Sequence, residues 1–198
     1  MIDVTKISNE EPFRKFLNLY KKALELNQKA VQAAAISSFS FSKNQSDSRF
    51  VNIKFIEKNK FIFFSNYSSE KAKQFEENNS ISCLFFWEKI NTQIRIKGNV
   101  YKTSDTYNKK YFRDRSKEKN ALAISSQQSK EIDSFDEVLK RYEDVLSNKD
   151  TSICPKYWGG YQIITDSIEF WEGDKFRLNK RLLFTKDGEK WKKKFLQP

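Results

Sequence analysis

The chain has no histidine, two cysteines, one methionine, three prolines and five glycines in 198 residues. Without histidine, imidazole acid–base catalysis and the common zinc ligand sets are closed to it. Cys83 lies in an apolar strand pattern and Cys154 stands before a proline. Neither has the spacing of a disulfide framework or a metal knot, so both read as reduced thiols. The scarcity of proline and glycine argues against a loop-rich or disordered polypeptide. Apolar runs fall short of the ~20 residues that span a bilayer, and the first residues lack the charged, apolar and small-residue regions of a secretion signal. The cytoplasm is therefore the expected compartment. Chemistry has to come from other side chains or from a cofactor.

What the chain has in abundance is aromatic and basic. Eighteen Phe, eight Tyr and four Trp supply large side chains for the core of one domain over residues 1–198. With 37 Lys+Arg against 26 Asp+Glu, the formal charge of +11 suits an anionic partner: nucleic acid, an acidic membrane surface or a small phosphate. Much of that excess is dispersed lysine, as in Lys192-Lys193-Lys194, and reads as solvated surface. More informative are Arg49, Lys54, Lys71, Arg115, Arg177 and Arg181, which stand singly beside strand or turn residues.

Ser8 and Glu11 have capping-box spacing, and Phe13, Phe16, Leu17, Tyr20 and Leu24 then recur at helical spacing, so the N-terminal segment 1–30 is predicted to carry an amphipathic helix. Residues 33–41 and 49–57 read as strands separated by a polar turn, and 60–66 pairs back as a hairpin. Ser68 or Ser69 can cap a short helix through Asn78, followed by a strand at 81–87. From 92 to 101 the alternation is clean, with Ile94, Ile96 and Val100 on one face and Gln93, Arg95, Lys97 and Asn99 on the other. Helical spacing runs from Asp105 to about Asn148. Strands return at 161–165 and 168–171, then in a hairpin whose turn is Asp187-Gly188. Many short antiparallel strands with inserted helices predict an α+β fold, most simply a closed barrel.

Several motifs keep a definite order. Arg49-Phe50-Val51-Asn52-Ile53-Lys54 is followed by Phe64-Ser65, Ser69-Glu70-Lys71, Gln93 and Gln127-Gln128-Ser129. Trp158-Gly159-Gly160, Trp171 and Arg177-Leu178-Asn179-Lys180-Arg181 complete the series. Each residue alone has a plain reading as surface charge, polar face or core aromatic. Their joint order and spacing, from residue 49 to the C-terminus, resembles the pyridoxine (pyridoxamine) 5′-phosphate oxidases. That resemblance implies a six-stranded antiparallel split β-barrel with surrounding helices. It also implies a homodimer with FMN sites at the interface, and a C-terminal part, 155–198, that completes site and dimer.

As carried over from the family, Arg49, Phe50, Val51, Asn52, Ile53, Lys54, Phe64, Ser65, Lys71, Gln93, Gln128, Ser129, Trp171 and Arg181 hold FMN. Lys71 would meet its phosphate at a helix start, where the dipole favours an anion. Lys54, Tyr111, Arg115, Lys119, Arg177 and Asn179 take the substrate, a pyridine ring bearing a 5′-phosphate, and Arg177 covers the reacting carbon. The implied activity is oxidation of pyridoxamine or pyridoxine 5′-phosphate to pyridoxal 5′-phosphate, with O2 as acceptor and H2O2 as product. Three positions depart from the family pattern: Lys119 stands for a Ser, Asn179 for a His and Glu70 for an Arg, and Glu70 is expected to face solvent. Lys119 and Asn179 favour an alternative, a split-barrel oxidase of the phenazine-biosynthesis type. A further alternative is a non-catalytic basic protein for nucleic acid or pyridoxal phosphate; the main reading requires neither nucleic acid nor membrane.

Overall fold

A computed structural model describes residues 1–198 as ten strands and five α-helices. The strands are β1 (Asp3–Ile7), β2 (Ala33–Ser40), β3 (Gln45–Asn52), β4 (Phe55–Lys58), β5 (Lys60–Asn66), β6 (Ser80–Trp87), β7 (Thr92–Lys102), β8 (Trp158–Glu172), β9 (Lys180–Asp187) and β10 (Lys190–Leu196). The helices are α1 (Glu11–Glu25), α2 (Glu70–Glu77), α3 (Asp105–Arg113), α4 (Lys117–Ser125) and α5 (Phe135–Asn148). Hydrogen bonding follows the order β1-β4-β5-β8-β7-β6-β2-β3, with β9 on β8 and β10 on β9. The mixed α+β class matches expectation. Ten strands stand where six are expected, and β1 pairs with β4 in parallel.

The differences have local causes. Residues 49–57 do not form one strand, because the chain breaks at Ile53-Lys54, where Lys54 turns its amide to the Ile62 carbonyl at 2.8 Å and its carbonyl to the Asp3 amide at 2.8 Å. That second bond starts β1, whose sequence is too polar to show an alternating pattern. Conversely, the two strands predicted at 161–165 and 168–171 are one strand, β8. Its pairing with β7 skips Asp166 as a bulge between Gly98↔Thr165 and Lys97↔Ser167. Gly98 is required there: a Cβ would overlap the Ile164 carbonyl oxygen. At the start of α1, Ser8 pairs with Glu10 and not Glu11; its hydroxyl accepts from the Glu10 amide at 3.1 Å and donates to the Glu10 carboxylate at 3.0 Å. Glu11 is drawn instead to Lys193, at 2.6 Å.

The core lies between α1 and the sheet. Phe13, Phe16, Tyr20 and Ala23 form the buried stripe of α1, with Leu17 and Leu24 only partly covered. Phe16 packs edge-on against Phe61, Phe85 and Trp87, with ring centres 5.3, 5.6 and 5.4 Å away. Each such ring contributes about 1.5–3 kcal/mol of burial, which anchors β5 and β6 against α1. The Trp87 indole N–H is satisfied by the Val31 carbonyl at 3.0 Å. β5 thus enters the core rigidly and delivers Phe64 and Ser65 at its far end. No helix is long and apolar enough to cross a membrane.

Candidate functional site

Two cations meet beside the first turn of α2. Lys71 is 7 % exposed, and its ammonium donates only to hydroxyls, Ser65 Oγ at 3.2 Å and Ser69 Oγ at 3.4 Å. Burial pushes its pKa below the usual lysine range, and the Arg49 guanidinium pushes the same way, with Asp47 opposing. Arg49 leans in from β3, donating to Ser38 Oγ at 2.7 Å, to Gln74 Oε1 at 2.9 Å and to the Asp47 carboxylate. Gln128, on the loop after α4, reaches the same place; its Oε1 accepts from Ser65 Oγ at 3.5 Å and from the Asn66 amide at 3.4 Å. Ser129 follows, exposed and left-handed at φ 69°. Glu70 faces away, as expected. It pairs with Lys73 at 2.7 Å and Lys43 at 2.9 Å, and those two ammonium groups hold its carboxyl down at about 2. A buried ammonium with only neutral partners is a poor state in an empty protein and a good one opposite a dianion.

A second cationic place lies against an aromatic wall. Phe64 stacks on Tyr111 with ring centres 4.0 Å apart and on Trp158 at 5.1 Å, while Phe55 meets Tyr111 edge-on at 5.2 Å. The Arg115 guanidinium lies 4.4 Å from the centre of the Trp158 ring. Its Nη2 donates to the Lys119 carbonyl at 3.1 Å, and its Nη1 is buried with no partner. Burial lowers the pKa of Lys54, and the charges of Lys119 and then Arg115 lower it further, so the three cations share one region. Tyr111 is pushed up by burial, with Arg115 opposing. The i, i+4 spacing of Tyr111 and Arg115 does bring them together, although Arg115 lies just past the end of α3.

A third group forms a row across three strands. Gln93 on β7 pairs with Trp171 on β8, which pairs with Arg181 on β9. Arg181 donates from Nε to Glu169 Oε1 at 2.8 Å and from Nη1 to the Gln197 carbonyl at 3.1 Å. The loop from β8 to β9 presents Arg177 exposed at φ 63°, and Asn179 braces that loop by accepting from the Asp174 amide at 3.1 Å. Along β3, Phe50 is 77 % exposed and Asn52 is exposed, Val51 is half-buried, and Ile53 beyond it is fully buried.

Within one chain these groups form separate halves. Ser65, the partner of Lys71, pairs with Gly159 near the start of β8, whereas Gln93 and Arg181 flank Trp171 near its end. Position 171 lies twelve residue steps along the strand from 159, roughly 40 Å at full extension. No hydrogen bond joins the Lys71 and Lys54 groups to the Arg181 row. Four contributing side chains were given no role from the sequence: Ser38 and Gln74, which seat Arg49, Trp158, which seats Arg115, and Glu169, which seats Arg181. Trp158 had a signal in the Trp-Gly-Gly run; the other three depend on pairing across the fold.

The chain matches two family models, pyridoxamine 5′-phosphate oxidase over residues 6–149 and the pyridoxine 5′-phosphate oxidase C-terminal dimerisation region over residues 158–198. A pyridoxine/pyridoxamine 5′-phosphate oxidase of Colwellia psychrerythraea is 36% identical over 194 residues, which cover 96% of this chain and 88% of that protein. One of Coxiella burnetii is 32% identical over 183 residues, 92% and 93% of the two chains. Among solved structures, PhzG from Burkholderia lata 383, in complex with tetrahydrophenazine-1-carboxylic acid, superposes with a TM-score of 0.87 at 25% identity, covering 96% of this chain and 93% of that one. A pyridoxamine 5′-phosphate oxidase-related, FMN binding protein from Nostoc punctiforme shares the fold, with a TM-score of 0.79 at 12% identity over 96% and 99% of the two chains.

Proposed function

The chain belongs to the pyridoxamine 5′-phosphate oxidase family, and we propose that it is an FMN-dependent oxidase making pyridoxal 5′-phosphate. Pyridoxine 5′-phosphate and O2 would yield pyridoxal 5′-phosphate and H2O2. Pyridoxamine 5′-phosphate, with O2 and water, would yield the same pair and ammonia. The observation that carries this reading is the Arg115 Nη1 left without a partner in a region whose charge Lys54 and Lys119 share, beside the stacked Tyr111, Phe64 and Trp158 rings. It fits a flat aromatic ring with a phosphate dianion at one end.

Cofactor fit rests on Lys71. A buried ammonium held by two hydroxyls, with Arg49 beside it at a helix start, suits the FMN phosphate. Ser65, Gln128 and Ser129 supply donors and acceptors next to it, and the strand from Phe50 to Ile53 supplies main-chain groups. Bound FMN would supply the two-electron acceptor that removes hydride from C4′ of the substrate and passes the electrons to O2. Lys54, Tyr111, Arg115 and Lys119 would fix the substrate phosphate, leaving the ring no choice of direction. Arg177, exposed on its loop, would cover C4′, and Asn179 would hold that loop in shape.

The match of residues 158–198 to a dimerisation region supports a homodimer. A second copy would bring its Gln93, Trp171, Arg177 and Arg181 to the Lys71 and Lys54 half of the first, closing a split-barrel FMN site at the interface. Anaerobic mixing of the FMN-loaded protein with pyridoxamine 5′-phosphate tests the assignment. The yellow absorbance should bleach; a spectrum that stays oxidised, with a loaded cofactor, refutes this substrate. The second reading is an oxidase of a tricyclic carboxylic acid, supported by the likeness to the Burkholderia lata structure and by Lys119 and Asn179. Bleaching by the tetrahydrophenazine acid but not by the phosphorylated pyridine would select it.

A further inference from the structure

Glu169 is a buried carboxylate, 8 % exposed, in the last third of β8. It accepts from Arg181 Nε at 2.8 Å on one oxygen and from Arg95 Nη1 at 3.2 Å on the other. Register explains the geometry: Glu169 lies directly opposite Arg95 on β7, whereas Arg181 is opposite Trp171, two residues along, and reaches back diagonally. That reach, with the Gln197 carbonyl on Nη1, occupies two of the three guanidinium nitrogens and leaves Nη2 without a bond in the chain. A guanidinium so clamped has lost its rotamer freedom before any ligand arrives.

We infer that Glu169 is the positioning residue of the cofactor site, orienting Arg181 so that its free Nη2 edge is presented to the flavin; this rests on the FMN reading above. Arg95 is the second arm of the clamp. It holds the carboxylate from the opposite strand so that Glu169 cannot swing after Arg181.

The test is FMN titration of the full chain, read by quenching of flavin fluorescence, for the parent, Glu169→Gln, Arg181→Met and the double variant, with far-UV circular dichroism on each. Glu169→Gln should weaken FMN binding about tenfold, the scale of one charge-assisted hydrogen bond. In the Arg181→Met background the same change should cost less than about twofold, because the residue it positions is gone. Glu169→Asp, which keeps the charge on a shorter arm, should recover part of the loss. Equal losses in both backgrounds, or none in either, overturn the inference while leaving the cofactor assignment intact. A parent chain that does not quench FMN overturns both. If Glu169→Gln loses its secondary structure, the Glu169→Asp pair in the two backgrounds decides, by the same comparison.

Discussion

Lys71→Met offers a test in which the two expected effects have opposite signs. The ammonium is buried against two hydroxyls, and the Arg49 charge acts on it more strongly than the opposing Asp47. Without ligand it is therefore a desolvation cost offset only by neutral hydrogen bonds. Methionine keeps the length and most of the volume of the side chain and removes the charge, so the ligand-free protein should gain about 1 kcal/mol. For a chain of this size that is a rise of roughly 2–4 °C in Tm. With FMN present the order reverses. A phosphate loses its charge-assisted bond to Lys71, worth about 1.5–3 kcal/mol, so the dissociation constant should rise roughly 10- to 150-fold. Thermal melts with and without FMN, together with a fluorescence titration, read both signs on one preparation. A lower Tm without ligand and an unchanged FMN affinity would show that Lys71 is structural and would remove the phosphate assignment.

Arg177→Ala should lower turnover more than FMN retention, and Arg49→Ala the reverse; matched losses of both in both variants would refute the division between the two halves. Lys119→Ser should raise KM for the phosphorylated substrate a few-fold and flatten its dependence on salt, since an exposed cation acts through a screened field; an unchanged salt slope removes Lys119 from the pocket. Burial holds Lys54 and Lys71 below their usual pKa of 10.5. Between the depressed values and 10.5 the unfolded chain binds more protons, so ligand-free stability should rise with pH across that window. Phosphate binding calls for the charged amines, so FMN affinity should fall across the same window; titrations from neutral pH to about 10 that show constant affinity would refute the assignment. Gly98→Ala forces a Cβ onto the Ile164 carbonyl and should cost several kcal/mol or prevent folding, visible as loss of the cooperative melt.

Helix α1 and the strands β5 to β7 were legible in the residues because their periodicity is local: Phe13, Phe16 and Tyr20 recur at 3.6, and Ile94, Ile96 and Val100 at 2.0. The weak elements were those held by partners. Strand β1 exists through main-chain bonds to Lys54 and Lys58, which no pattern of side chains announces. The bulge at Asp166 hid the continuity of β8, because it shifts the alternation by one residue. Helical spacing over 105–148 was real but concealed two breaks, between α3 and α4 and between α4 and α5.

From sequence alone came the family, the candidate cations and the exclusion of histidine chemistry, because residue type and spacing are properties of the chain itself. Tertiary structure decided which groups face one another. Lys119 shares a field with Lys54 although sixty-five residues separate them in the chain. Arg49 is seated by Ser38 and Gln74, eleven and twenty-five residues away, and Arg181 by Glu169 across a strand pair. Such convergence is fixed by register and by loop closure, which act between segments far apart in sequence and leave no periodic trace in either one.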